Sequence, residues 1–385
     1  MRTAFQGRSS LSVTFRCAMV AALLFAALTA EAQTFNVLYA FHGGRDGSDP
    51  RAGLTMDGRG NLYGTTWRGG VFQLLHRGSG WALNPISEQG GSSARVIFGP
   101  DGTLYGTVSN GDGGVFNLRP PPSVCKTVLC PWLETVIYAF QGGNDGSEPY
   151  SDPAFDRNGN LYGTTYRGGD NGAGTVFQLS PSNGGWTESI IYNFPAPGPP
   201  GNGPASGVVV DNAGNLYGVT NHSPAAYELS PSGSGWGETT IAELDSDPLY
   251  SGLTMDASGN FYGTTETVVF ELSPAAGGWT YQTLYTFNPN EGPFGTLTMD
   301  AAGNLYGASW GGGAHGSGFV FKLSPSQSGW TFTDLHDFTG GSDGGLPMCQ
   351  LILDGEGNIY GTTEGGGDLL SCFGGGCGVV FEITP

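Results

Sequence analysis

The chain has 385 residues, 69 of them Gly and 24 Pro, with 38% hydrophobic and 12% aromatic content. That much apolar surface excludes a disordered acidic chain, and abundant Gly with abundant aromatics points to short strands joined by tight turns. Lys and Arg total 14 against 33 Asp and Glu, a net charge of −19, which repels phosphate and excludes non-specific nucleic-acid binding.

Arg2, Arg8 and Arg16 precede an apolar run from Ala18 to Leu28, which is followed by Ala30-Glu31-Ala32. This order of basic region, apolar core and small-x-small site predicts a secretory signal peptide over residues 1–32, cleaved near Ala32-Gln33. The apolar run is too short to span a bilayer, and no later stretch suffices, so no transmembrane helix is expected in the mature chain. Removing this segment takes away three Arg and Glu31, which shifts the net charge from −19 to −21. The expected product is an acidic, exported monomer.

Residues 33–385 are read as one domain made of a single repeated unit. The tetrad Asn-Leu-Tyr-Gly at 61–64 recurs at 160, 215 and 304, with variants starting at 103, 260 and 358. Each tetrad is expected to be the second of four strands. The first is of the Leu-Thr-Met-Asp type (54–57, 253–256, 297–300), and an Asp-x-x-Gly-Asn turn joins the two. There Asp can accept turn N–H groups while Gly supplies the positive φ. The third strand reads Val-Phe-x-Leu, often followed by Ser-Pro, where Pro is expected to end the ladder. The fourth follows a Trp-x7-Phe frame, as in Trp132–Phe140 and Trp330–Phe338. The last repeat stops after its third strand, and residues 33–41 at the other end carry the missing fourth. The sequence therefore predicts an all-β, seven-bladed β-propeller, closed by the N-terminal strand joining the last blade.

The frame Asp-x-x-Gly-Asn-Leu-Tyr-Gly-Thr-Thr, then Val-Phe-x-Leu-Ser-Pro, then Gly-Trp, resembles the GloVer tandem repeat of secreted, choice-of-anchor bacterial proteins. The first two strands are more distantly similar to NHL-type propeller repeats. The resemblance implies export and a propeller-like repeat; it carries no established activity.

Positions alike in all seven repeats serve the scaffold. The tetrad tyrosines, from Tyr63 to Tyr360, are expected to pack between blades with each hydroxyl partnered. The Asp-x-x-Gly-Asn turns lack the further oxygens of a calcium loop. The linkers Gly43–Pro50, Gly142–Pro149 and Gly340–Pro347 share a Gly-Gly-x-Asp-Gly core, which is turn chemistry. By contrast, the two positions after the second strand differ from repeat to repeat. Among them Trp67, Arg68, Tyr166, Arg167, His222, Glu266, Trp310 and Glu364 are the candidate ligand-binding residues. Rings can stack on a pyranose face while charged groups fix hydroxyls.

Of the remaining cysteines, Cys125 with Cys130 and Cys372 with Cys377 are disulfide candidates in an oxidising compartment. Cys349 reads as a buried small hydrophobe. The histidines show no metal-ligand spacing, and no cofactor motif is present. The expected function is a binding module for a glycan or other polar extracellular ligand on one face. The alternatives are an enzyme acting on polysaccharide or a lactone, with Glu266 and Glu364 as a conceivable acid/base pair, and a surface scaffold without a pocket.

Overall fold

A computed structural model describes residues 33–385 except 79, 89–91, 93, 123–130, 196–202, 234 and 249. The expected signal peptide over residues 1–32 and the disulfide candidates Cys125 and Cys130 lie outside the described residues. The twenty-eight described strands form seven four-stranded antiparallel sheets, each built from consecutive strands except one. Blade 1 comprises Thr55–Met56, Leu62–Thr65, Val71–Arg77 and Gly80–Ser87. Blades 2 to 6 follow in chain order, with first strands starting at Ile97, Ala154, Val209, Thr254 and Pro293 and fourth strands ending at Ala139, Asn193, Glu243, Thr286 and Asp337. In blade 7, Ile352–Leu353, Ile359–Thr363 and Val379–Thr384 take Thr34–Ala40 as their fourth strand. That strand runs antiparallel to the last one, from Thr34 opposite Thr384 to Ala40 opposite Val379. The ring is thus closed by the two ends of the chain, as the sequence predicts.

The hydrophobic cores lie between blades. Tyr63, Val71 and Ile86 of blade 1 pack on Val96, Leu104, Phe116 and Leu118 of blade 2. Each tetrad tyrosine reaches forward. Tyr63 meets Phe98 and Trp132 edge-on, Tyr105 meets Phe155 and Trp186, and Tyr262 meets Trp330. Its hydroxyl donates to the Asp of its own turn, as Tyr306 does to Asp300 at 3.0 Å. The same carboxylate accepts the Ala302 and Asn304 N–H groups and the Asn304 amide. In this turn Asp is the hub, and the tyrosine is anchored at both ends.

The tetrad glycine has a separate role. A Cβ on Gly307 would stand 2.5 Å from the Phe321 ring, and one on Gly64 would stand 2.5 Å from Phe72. Glycine here makes room for the third-strand phenylalanine. The following threonine ties blade to blade: Thr65, Thr107, Thr164 and Thr362 donate to the carbonyls of Ala94, Ser151, Ser206 and Ala52.

One expectation is corrected. The third strands continue through Ser-Pro, with Pro181 opposite Trp186 and Pro325 opposite Trp330. Pro is tolerated because the second strand has already ended, its last pair being Leu161 with Leu179. No N–H is needed on that side beyond it.

Candidate functional site

First strands and the segments preceding them line the channel, so the residues just before each first strand decide what the mouth presents. Three residues before the first-strand leucine or its equivalent stand Arg51, Tyr150, Ala205, Tyr250, Phe294 and Met348. One residue before it stand Gly53, Arg95, Asp152, Gly207, Gly252, Thr296 and Gln350. All of these line a cavity of about 830 Å³, within the range of small-ligand sites. The blades approach closely there. A Cβ on Gly207 would stand 2.4 Å from the Asp152 carbonyl oxygen, and one on Gly53 would stand 2.7 Å from that of Gln350.

Two ion pairs cross blade boundaries at this level. Arg51 Nη2 lies 2.6 Å from Glu364 Oε1, bridging blades 1 and 7. The Arg51 guanidinium also sits 5.3 Å from the Trp67 ring centre, a cation–π contact. Arg95 Nε lies 3.2 Å from Asp152 Oδ2, and the Arg95 backbone N–H donates to Asp152 Oδ1 at 2.7 Å. Aromatic rings share the wall with these pairs. Tyr150 meets Tyr166 edge-on at 6.1 Å, and Tyr250 leans on Phe294 at 5.6 Å. Burial, reinforced by Glu148, pushes the Tyr150 hydroxyl up, so it remains a donor at neutral pH.

Three of the sequence-predicted residues line this cavity: Trp67, Tyr166 and Glu364. The shared linkers place them. Asp49, Glu148 and Leu346 take left-handed backbone with φ of 58°, 57° and 56°. Their carbonyls accept the N–H groups of Trp67, Tyr166 and Glu364. Each linker Asp locks its own turn: Asp46 accepts from His42 N–H and Tyr39, and Asp145 from Gln141 N–H and Tyr138. Cys372 and Cys377 form the expected disulfide, and the Cys377 carbonyl accepts the Asp49 N–H. Cys349 is free and buried, and burial pushes its thiol up.

The other five candidates do not line the cavity. Arg68 pairs with Asp49 at 3.1 Å, and Arg167 with Glu148 at 3.2 Å. His222 donates its N–H to Asp247 Oδ1, while the Glu266 N–H bonds the Asp247 carbonyl. Trp310 is solvent-exposed and does not line the cavity. Glu266 and Glu364 are therefore not both in the cavity. Arg51, Arg95, Tyr150, Asp152, Tyr250 and Phe294 fall between the linkers, which end at Pro50, Pro149 and Pro347 where shared, and the first-strand leucine or its equivalent, a stretch outside the repeat frame. They are unlike residues in equivalent places. Among the described residues, no three His, Cys, Asp or Glu side chains stand together closely enough to hold a metal ion.

Residues 92–268 and 264–385 match the Gloeobacter/Verrucomicrobia repeat. The chain belongs to this repeat family. No curated protein sequence matches it. Among solved structures, Gloeobacter/Verrucomicrobia-repeat blades superpose on virginiamycin B lyase from Staphylococcus aureus at a TM-score of 0.59 and 15% identity. That match covers 92% of this chain and 99% of the other. A catalytically inactive variant of the same lyase with quinupristin gives 0.61 at 15% identity, over 91% and 100%. The extracellular domain of a two-component system protein from B. thetaiotaomicron gives 0.56 at 13% identity, over 91% of this chain and 41% of that one. At these identities the likeness is one of fold.

Proposed function

We propose that this is an exported propeller that binds a glycan or other polar extracellular ligand at the channel mouth. The observation that carries the reading is the convergence of Trp67, Tyr150, Tyr166, Tyr250 and Phe294 with two ion pairs around one cavity. Rings supply flat apolar contact and the pairs supply directional hydrogen bonds, the combination by which a concave site orients a polyhydroxy ligand. Export rests on the N-terminal segment of Arg2 to Ala32. No helix among the described residues is long and apolar enough to cross a membrane. All seven blades that wall the mouth come from one chain, so a monomer suffices.

The test is a glycan array followed by titration calorimetry on the strongest hit. Trp67→Ala is expected to weaken binding at least tenfold, about 1.4 kcal/mol, while Trp310→Ala leaves it unchanged. Equal effects of the two variants would remove the site from the mouth. An enzyme acting on polysaccharide or a lactone gains support from the clustering of Arg51, Arg95, Tyr150 and Tyr166. Chromatography of the array hit after prolonged incubation decides between them, since a binding module returns it intact.

A further inference from the structure

The mouth balances its charges within a chain that does not. Arg51 is matched by Glu364 and Arg95 by Asp152, whereas the whole chain carries −19. An anionic ligand at either arginine would compete with a carboxylate already in place, and would approach through a repelling field. A cationic ligand would compete with an arginine for the same carboxylates. An uncharged ligand can use both pairs without breaking either.

Resting on the reading of the mouth as the binding site, we infer that its ligand is an uncharged oligosaccharide. Its terminal residue enters along the channel axis and presents vicinal hydroxyls to the two ion pairs. Each pair sets unused guanidinium N–H donors beside unused carboxylate lone pairs. A hydroxyl both donates and accepts, so two adjacent hydroxyls can bridge such a pair, one accepting from arginine and the other donating to the carboxylate. The pairs belong to the sector formed by blades 7, 1, 2 and 3. Facing them, the sector of blades 4 to 6 offers Tyr250 and Phe294 beside the small residues Ala205 and Gly207. Trp67, Tyr150 and Tyr166 stand beside the pairs themselves, so rings and polar groups meet there as the apolar face and hydroxyl edge of a pyranose do. The lining comes from all seven blades, so the mouth is walled on every side. Such a mouth admits the end of a chain, whereas an internal segment needs a cleft open at both ends.

The full mature chain is tested on an array carrying neutral oligosaccharides beside uronate-containing ones. The strongest neutral hit is then titrated in about 0.1 M and about 1 M salt, conditions that separate screened from unscreened attraction. The expected results are neutral hits, a Kd that changes less than about threefold with salt, and loss of binding after mild periodate cleavage of vicinal diols. Glu364→Gln and Asp152→Asn should each weaken the neutral hit about tenfold, roughly 1.4 kcal/mol, with the thermal midpoint recorded to separate this from misfolding. Uronate binding that weakens with salt and is lost in Arg51→Ala would overturn the uncharged ligand while leaving the mouth as the site. Neutral binding that survives periodate would overturn the diol contact. Absence of any hit would overturn both this inference and the reading beneath it.

Discussion

At the level of single residues, the turn aspartates concentrate several hydrogen bonds on one carboxylate. Burial pushes Asp57, Asp156, Asp300 and Asp354 up, but the hydrogen bonds from the Asn side chain, turn N–H groups and Tyr hydroxyl outweigh it and hold each below the usual carboxylate range. Their contribution to stability is complete above the unfolded carboxylate pKa, and is lost as pH falls through the depressed folded values. Denaturant titrations should therefore show stability falling steeply below about pH 4. Asp300→Ala should cost about 2–3 kcal/mol at pH 7, since it strands the Ala302 and Asn304 N–H groups. Glu188 behaves oppositely. Burial, reinforced by Asp145, pushes its carboxyl up to about 7. Stability from a raised carboxyl is present below the unfolded pKa and declines as pH rises to the folded one, here from about pH 4.5 to about pH 7. Glu188→Gln should remove this decline and gain roughly 1 kcal/mol at pH 8, after discounting for its partial exposure. A variant that is no more stable than the parent at pH 8 would refute the assignment.

At the level of strands and blades, the repeat supplied its own alignment, which is why the architecture was legible. Tyr63 and its six equivalents, the Trp-x7-Phe strands and the closing segment 33–41 all serve contacts that every blade must make, so each recurs visibly. The glycine of the tetrad shows how a short motif fixes packing. Gly307→Ala drives a methyl into the Phe321 ring from 2.5 Å, and should cost about 1–3 kcal/mol by overpacking. The pair Gly307→Ala with Phe321→Leu should recover part of that loss if the clash is the cause. The mouth was legible only in part. Trp67, Tyr166 and Glu364 lie in the three blades preceded by linkers that share the Gly-Gly-x-Asp-Gly core, a correlation present in the sequence. The pairing of Arg51 with Glu364 joins residues 313 apart and exists only once the ring has closed, so no local pattern announces it.

At the level of the whole molecule, closure of the ring and construction of the mouth are one event. The N-terminal strand seats Phe35 flat on His336 at 3.8 Å and against Phe338 and Phe381. Those contacts seal the boundary between blades 6 and 7, and the same strand sends Leu38 and Tyr39 into the core shared with blade 1, the boundary that carries the Arg51–Glu364 pair. Cleavage at the expected Ala32-Gln33 site would leave Thr34–Ala40 intact, whereas a truncation starting at Phe41 removes the whole strand. That truncation exposes the edge of Val379–Thr384 and the apolar faces it covers, a template for pairing with another chain. It should cost several kcal/mol, at roughly 1.5–3 kcal/mol for each buried large apolar side chain removed. Light scattering should show dimers or larger species, and ligand binding at the mouth should weaken in parallel with the loss of closure. A synthetic peptide of residues 33–40 added in trans should restore the thermal midpoint, the monomer and the binding together. If the peptide restores stability but not binding, the seam and the mouth are not coupled, and the Arg51–Glu364 bridge does not depend on closure.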